Sequence, residues 1–149
     1  MTLKELSKAI SDSKYGNIPV HARPLRVYSE KSANELTKSI LAYLEFKGVK
    51  AWRQASEGRY IQGKEYTDMF GRKKQEKGMY IPRSKAAKGI GDISAVIRGM
   101  FVSIEIKYGK DRMRPEQHQF ASELKDSGGT YIVVKTWDDF IRQIKQMGV

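Results

Sequence analysis

The sequence predicts an α/β protein, a mixed β-sheet flanked by helices in the order α-β-β-β-α-β-α. Three observations carry this expectation. Gly89–Lys107 places alternating apolar β-formers on either side of Arg98-Gly99, the pattern of two short strands joined by a tight turn. Capped helical patterns stand upstream, over Ser32–Lys47, and downstream, from Pro115 and from Thr136. Between the last two lies a β-rich run, Thr130–Lys135, whose strand is expected parallel to the one holding Glu105, after a right-handed crossover.

In chain order, residues 2–11 fit a short amphipathic helix with Leu3, Leu6 and Ile10 on one side, and 12–28 read as an irregular connector around Gly16, Pro19 and Pro24. Residues 1–28 thus form an N-terminal arm, and the sequence leaves open whether it packs on the domain or on a second subunit. Residues 29–149 form the domain. Ser32-Ala-Asn-Glu35 fits a capping box, Leu36, Ile40, Tyr43 and Leu44 form an apolar stripe, and Gly48 supplies the stop. Val49–Ala55 reads as a strand. Residues 57–88 are expected to be the least regular part, a basic insertion read as a long loop. In it Arg59, Lys64, Arg72, Lys73, Lys74, Lys77, Arg83, Lys85 and Lys88 alternate with Tyr60, Tyr66, Phe70 and Tyr80. Such a mixture suits phosphate contacts with stacking on unpaired bases; a solvated loop with a few anchoring aromatics explains any one of these residues equally well. A further basic turn, with Lys110 and Arg112, follows Lys107. The next helix runs from Pro115 to about Asp126 with Gln117, Phe120, Ala121 and Leu124 inward, and a final helix buries Phe140, Ile141 and Ile144. The helices are expected on the apolar face of the sheet.

Composition narrows the chemistry. The chain has 149 residues, a length for one domain, and no cysteine, which excludes disulfides, zinc-thiolate centres and thiol nucleophiles. Two histidines, His21 and His118, are too few for a histidine metal centre. No apolar run approaches a membrane span and no signal-peptide core is evident, so a soluble, cytoplasmic protein is expected. A formal charge of +11 points to a polyanionic partner, nucleic acid before membrane.

The strand pair carries the candidate chemistry. With a two-residue turn, Ile97 faces Met100, and Asp92 falls opposite Glu105. One face then holds Ile93, Ala95, Ile97, Val102, Ile104 and Ile106, and the other Asp92, Ser94, Val96, Phe101, Ser103, Glu105 and Lys107. Two carboxylates with Cβ atoms about 5 Å apart repel, and a shared proton or a bound cation relieves the repulsion. Two carboxylates and a lysine on one polar face suit a hard divalent metal with a water beside it. The competing reading is a surface ion pair in which Lys107 neutralises one of two solvated acids. Spacing does not separate the two.

The ordered set Glu35, Lys88-Gly89-Ile-Gly-Asp92, Gly99-Met-Phe101, Glu105-Ile-Lys107 and Gln117 with Phe120 resembles the PD-(D/E)XK nuclease superfamily, and within it the VRR-NUC branch. The likeness runs from about Ser29 to Gln146. The chain departs from the branch in the long basic insertion and in a phenylalanine where tryptophan is frequent. The resemblance implies a restriction-endonuclease-like fold with a Holliday-junction-resolvase-like core. It implies Mg²⁺, or Mn²⁺ as a substitute, held by Asp92, Glu105 and the Ile106 carbonyl with Glu35 completing the site. Lys107 would orient and help deprotonate the attacking water, and Gln117 would steady Lys107 or the phosphate. The expected function is a metal-dependent DNA endonuclease selective for branched, flapped or nicked DNA, of a phage or mobile-element type and often homodimeric. Arg72, Lys73, Lys74, Lys77, Arg83, Lys85, Lys88, Lys110 and Arg112 are the candidate DNA contacts. A site-specific homing or restriction endonuclease and a non-catalytic nucleic-acid-binding protein are the alternatives.

Overall fold

The computed structural model describes residues 1–54, 59–81 and 88–149. They form two compact units, one of residues 1–54 with 89–149 and one within 55–88. The first contains helices α1 (Leu3–Lys14), α2 (Ala33–Phe46), α3 (Pro115–Asp126) and α4 (Trp137–Gln146), with strands β1 (Lys50–Arg53), β6 (Ile93–Ile97), β7 (Met100–Ile106) and β8 (Thr130–Val134). The second contains β2 (Arg59–Ile61), β3 (Glu65–Thr67), β4 (Lys73–Gln75) and β5 (Met79–Ile81). None of the described helices is long and apolar enough to cross a membrane.

The four-stranded sheet is mixed, ordered β1-β6-β7-β8, antiparallel in its first two ladders and parallel in the third. The β6–β7 turn has positive φ at both Arg98 (51°) and Gly99 (81°), the mirror-image turn whose twist matches the flanking strands. Ile97 accordingly pairs with Met100 and Ile93 with Ile104, the register expected from the alternation. Ile93, Ala95, Ile97, Val102, Ile104 and Ile106 are all buried, packed with Leu36, Ile40, Tyr43 and Leu44 of α2 and Trp137, Phe140, Ile141 and Ile144 of α4.

Local chemistry explains the helix ends. Ser32 and Thr136 accept from the backbone N–H groups of Glu35 and Asp139, three residues on. Gly48, at φ 71°, stops α2 in a conformation open to glycine. α1 belongs to this unit: Leu6 is fully buried in the core and Ser11 Oγ donates to Pro24 O. Trp137 links the arm to α4, donating through Nε1 to Met1 O and through its backbone N–H to Glu30 Oε2.

Two expectations are corrected. Residues 57–88 are not an irregular loop: within their described part, β2 pairs with β5 and β3 with β4. And α3 does not share the apolar face. None of its residues is buried, and its inward stripe meets the polar side of the sheet, Gln117 against Glu105 and Phe120 against Tyr131. The apolar face is already filled by α2, α4 and Leu6.

Candidate active site

The loop before β6 runs against the sheet because it is built from glycine. A Cβ on Gly91 would lie 2.5 Å from Ile104 O and 2.9 Å from the Glu105 nitrogen, so only a bare backbone passes there. Gly89, at φ 81°, is equally close to Glu116 O and the Phe120 side chain. The approach is held by Gly91 N–H, which donates to Ser103 Oγ at 2.9 Å. It delivers Asp92 to the end of the β6–β7 ladder, where Oδ2 accepts the Ile106 N–H at 2.9 Å. Asp92 thereby continues the ladder through its side chain.

Glu105 on β7 and Lys107 just beyond its end meet on the same face, yet they are not solvated. Their exposures are 5 % and 3 %, and Ser94 and Ser103 beside them have none. Glu105 Oε1 receives Lys107 Nζ at 2.8 Å and Gln117 Nε2 at 2.6 Å, while Tyr131 OH lies 3.4 Å from Oε2 and 3.1 Å from Gly89 O. Gln117 is held from behind, its Oε1 accepting the Arg114 N–H at 2.9 Å. Lys107 Nζ also reaches Asp111 Oδ2 at 3.2 Å. The result is a chain of alternating charge, Glu105–Lys107–Asp111, with its centre buried and Asp111 at the exposed end.

Burial pushes the Glu105 carboxyl above the ordinary range; Lys107 opposes the shift through its hydrogen bond, and the charge of Asp92 adds to it. Burial alone would lower Lys107, but its bonds to Glu105 and Asp111 outweigh that and hold it above the usual lysine value. The Lys107 hydrogen bond draws Asp111 down. Burial, followed by the charge of Glu105, raises the Tyr131 phenol. Lys107 is therefore an ammonium here, a donor and a source of positive charge. The neutral amine, the form that could act as a base, is correspondingly scarce.

Asp92, Glu105, Lys107 and Gln117 thus converge at one corner. The Glu35 carboxylate accepts from Ser29 Oγ, and its backbone N–H donates to Ser32 Oγ, the first half of the expected capping box. Among the described residues no group of three or more His, Asp or Glu side chains is placed to hold a metal ion. A metal at this corner would thus rest on two carboxylates, with backbone carbonyl and water completing its shell. That donor set fits a hard ion. Every atom in it is oxygen, Mg²⁺ retains several waters in such sites, and a cation would offset both the burial of Glu105 and its repulsion from Asp92.

Of the candidate DNA contacts, Arg72, Lys73, Lys74, Lys77, Lys88, Lys110 and Arg112 are exposed; Arg83 and Lys85 lie outside the described residues. Sequence reasoning missed Asp111 and Tyr131. Asp111 stands four residues beyond Lys107 in a turn, and Tyr131 enters the polar face through the parallel ladder, opposite Ser103. A scan against protein-family models matches none of them, and a search of curated proteins finds no match.

Proposed function

We propose that this protein is a Mg²⁺-dependent DNA endonuclease, similar to the VRR-NUC branch of the PD-(D/E)XK nucleases and sharing their restriction-endonuclease-like sheet order. The observation that carries the reading is the corner itself. The carboxylate of Asp92, at the end of the loop into β6, and that of Glu105 on β7 repel each other across the end of the ladder, with a buried lysine 2.8 Å from Glu105. Asp92, Glu105 and the Ile106 carbonyl are the groups to hold Mg²⁺ or Mn²⁺, and such an ion supplies stabilisation of the charge that develops on the phosphoryl oxygens.

The chain's own residues do the positioning. Gln117 and Tyr131 hold the Glu105 carboxylate in one orientation. Lys107, kept as an ammonium between Glu105 and Asp111, offers its protons to the scissile phosphate or the attacking water and orients it. Glu35, bound to Ser29, is assigned a structural role on this reading. DNA is the partner, branched, flapped or nicked forms are the preferred class, and a homodimer in a bacterial or phage-infected cytoplasm is the setting the likeness suggests.

The test is cleavage of plasmid, single-stranded and four-way-junction DNA with and without Mg²⁺. Asp92→Ala and Lys107→Ala, checked for folding by circular dichroism, should lose cutting and keep binding; undiminished cutting in both would overturn the assignment. A second reading is favoured by the double pairing of Lys107, which is also what a structural ion-pair chain needs. On that reading the protein binds nucleic acid without cutting it, and Mg²⁺ yields no product with any substrate.

A further inference from the structure

The second unit has a regularity that its short strands conceal. The pairs Arg59–Ile81, Tyr60–Tyr80, Ile61–Met79, Glu65–Gln75, Tyr66–Lys74 and Thr67–Lys73 are all centred on residue 70. The backbone bonds Glu76 N–H to Lys64 O and Asp68 N–H to Arg72 O obey the same centre. β2–β5 are therefore one two-stranded arm from 59 to 81 with Phe70 at its tip, roughly 35 Å long at about 3.3 Å per residue.

The tip is stiff. Asp68 Oδ1 accepts the Phe70 and Arg72 N–H groups at 2.9 and 3.0 Å, and Oδ2 takes Arg72 Nε at 3.0 Å and Lys74 Nζ at 3.2 Å. Gly71, at φ 76°, returns its N–H to Asp68 O. This turn holds out two large apolar side chains, Met69 (91 % exposed) and Phe70 (74 %). The Arg72 guanidinium lies 5.1 Å from the Phe70 ring centroid. Lys64, Lys73, Lys74 and Lys77 line the arm behind it, all exposed. An isolated two-stranded ribbon is marginal in water, and apolar tips are seldom displayed without a partner.

We propose that this arm is a DNA wedge: Phe70 stacks on a base at an interrupted base step, and the lysines behind it hold the flanking phosphates. Nine Lys and Arg against four Asp and Glu between residues 55 and 88 make a polyanion the complementary partner. A two-stranded ribbon fits a DNA groove, and inserted apolar side chains pay for unstacking a step. At a nick, bulge or branch the stack is already broken, so the wedge selects those structures. The inference deepens the DNA-binding half of the proposed function and is independent of cleavage.

The test is binding in EDTA at fixed salt, by fluorescence anisotropy, to intact duplex and to bulged and nicked duplexes carrying 2-aminopurine beside the interruption. The wild type should prefer the interrupted DNAs about tenfold and change the 2-aminopurine emission. Phe70→Ala should lose both the preference and the emission change, and Phe70→Trp should keep the preference. Phe70→Ala with the preference intact would overturn the wedge, as would a tip that inserts into phosphatidylserine vesicles and shows no effect with DNA. Adding Mg²⁺ to the same wild-type complexes separates the two ideas: no cutting with the wedge signature present refutes only the nuclease, and cutting by the wild type together with an intact binding preference in Phe70→Ala refutes only the wedge.

Discussion

Replacing Lys107 by methionine tests the electrostatics of the corner directly. Methionine keeps the length and apolar stem of lysine and deletes the ammonium that lies 2.8 Å from Glu105 Oε1. Glu105, 5 % exposed, then retains Gln117 and Tyr131 but no countercharge, with Asp92 still repelling it. Removing one partner of a buried pair destabilises by about 3–5 kcal/mol. For a chain of this size that corresponds to a fall in Tm of roughly 6–20 °C at about 2–4 °C per kcal/mol. The effect must depend on pH. Glu105 titrates above its unfolded value, so the folded state binds its proton more tightly; that contribution is fully present below the unfolded carboxylate pKa and is lost as pH rises through the raised folded value. The deficit of Lys107→Met should therefore be large at pH 8 and shrink towards pH 4.5, and Glu105→Gln added to it should remove most of the deficit at pH 8. The assay is urea and thermal unfolding followed by circular dichroism across that range. A Lys107→Met protein as stable as wild type at pH 8, or a deficit of constant size from pH 4.5 to 8, would refute the reasoning.

Three further outcomes follow from the same geometry. Gly91→Ala must push a Cβ into the Ile104–Glu105 backbone; overpacking and loss of the Gly91–Ser103 bond should lower stability by about 2–4 kcal/mol in urea unfolding and abolish cleavage with Asp92 and Glu105 both present. Asp111→Asn removes the exposed partner of Lys107, so the stability loss should stay below about 1 kcal/mol; it should be fully present above the unfolded carboxylate pKa and vanish as pH falls through the lowered folded value. Glu35→Gln, whose side chain answers Ser29, should leave Mg²⁺ affinity by isothermal titration within about twofold of wild type, whereas Asp92→Asn should weaken it by at least tenfold.

Several features were legible because short-range rules decide them. Only one register of β6 on β7 buries all six apolar residues, and Arg98-Gly99 closes it with the turn that register needs. Ser32 and Thr136 could be read as caps because a hydroxyl three residues before a backbone N–H does its work locally. The arm was misread for the opposite reason. Its described strands are three residues long, carry no apolar alternation, and draw their regularity from one shared register that no single strand displays. The face taken by α3 was misread because its stripe of Gln117, Phe120, Ala121 and Leu124 says which side of the helix turns inward and nothing about which side of the sheet receives it.

The sequence by itself determined that Asp92, Glu105 and Lys107 share a face, since strand alternation and turn length are local properties. Tertiary structure alone decided that this face is enclosed. α3 lays Gln117 over Glu105, the Asp111 turn folds back on Lys107, and the parallel ladder brings in Tyr131, none of which has a signature in spacing. The distinction is physical: an ion pair on an open sheet is screened by water and contributes little, whereas Glu105 and Lys107 under a helix are desolvated, shifted and bound to each other.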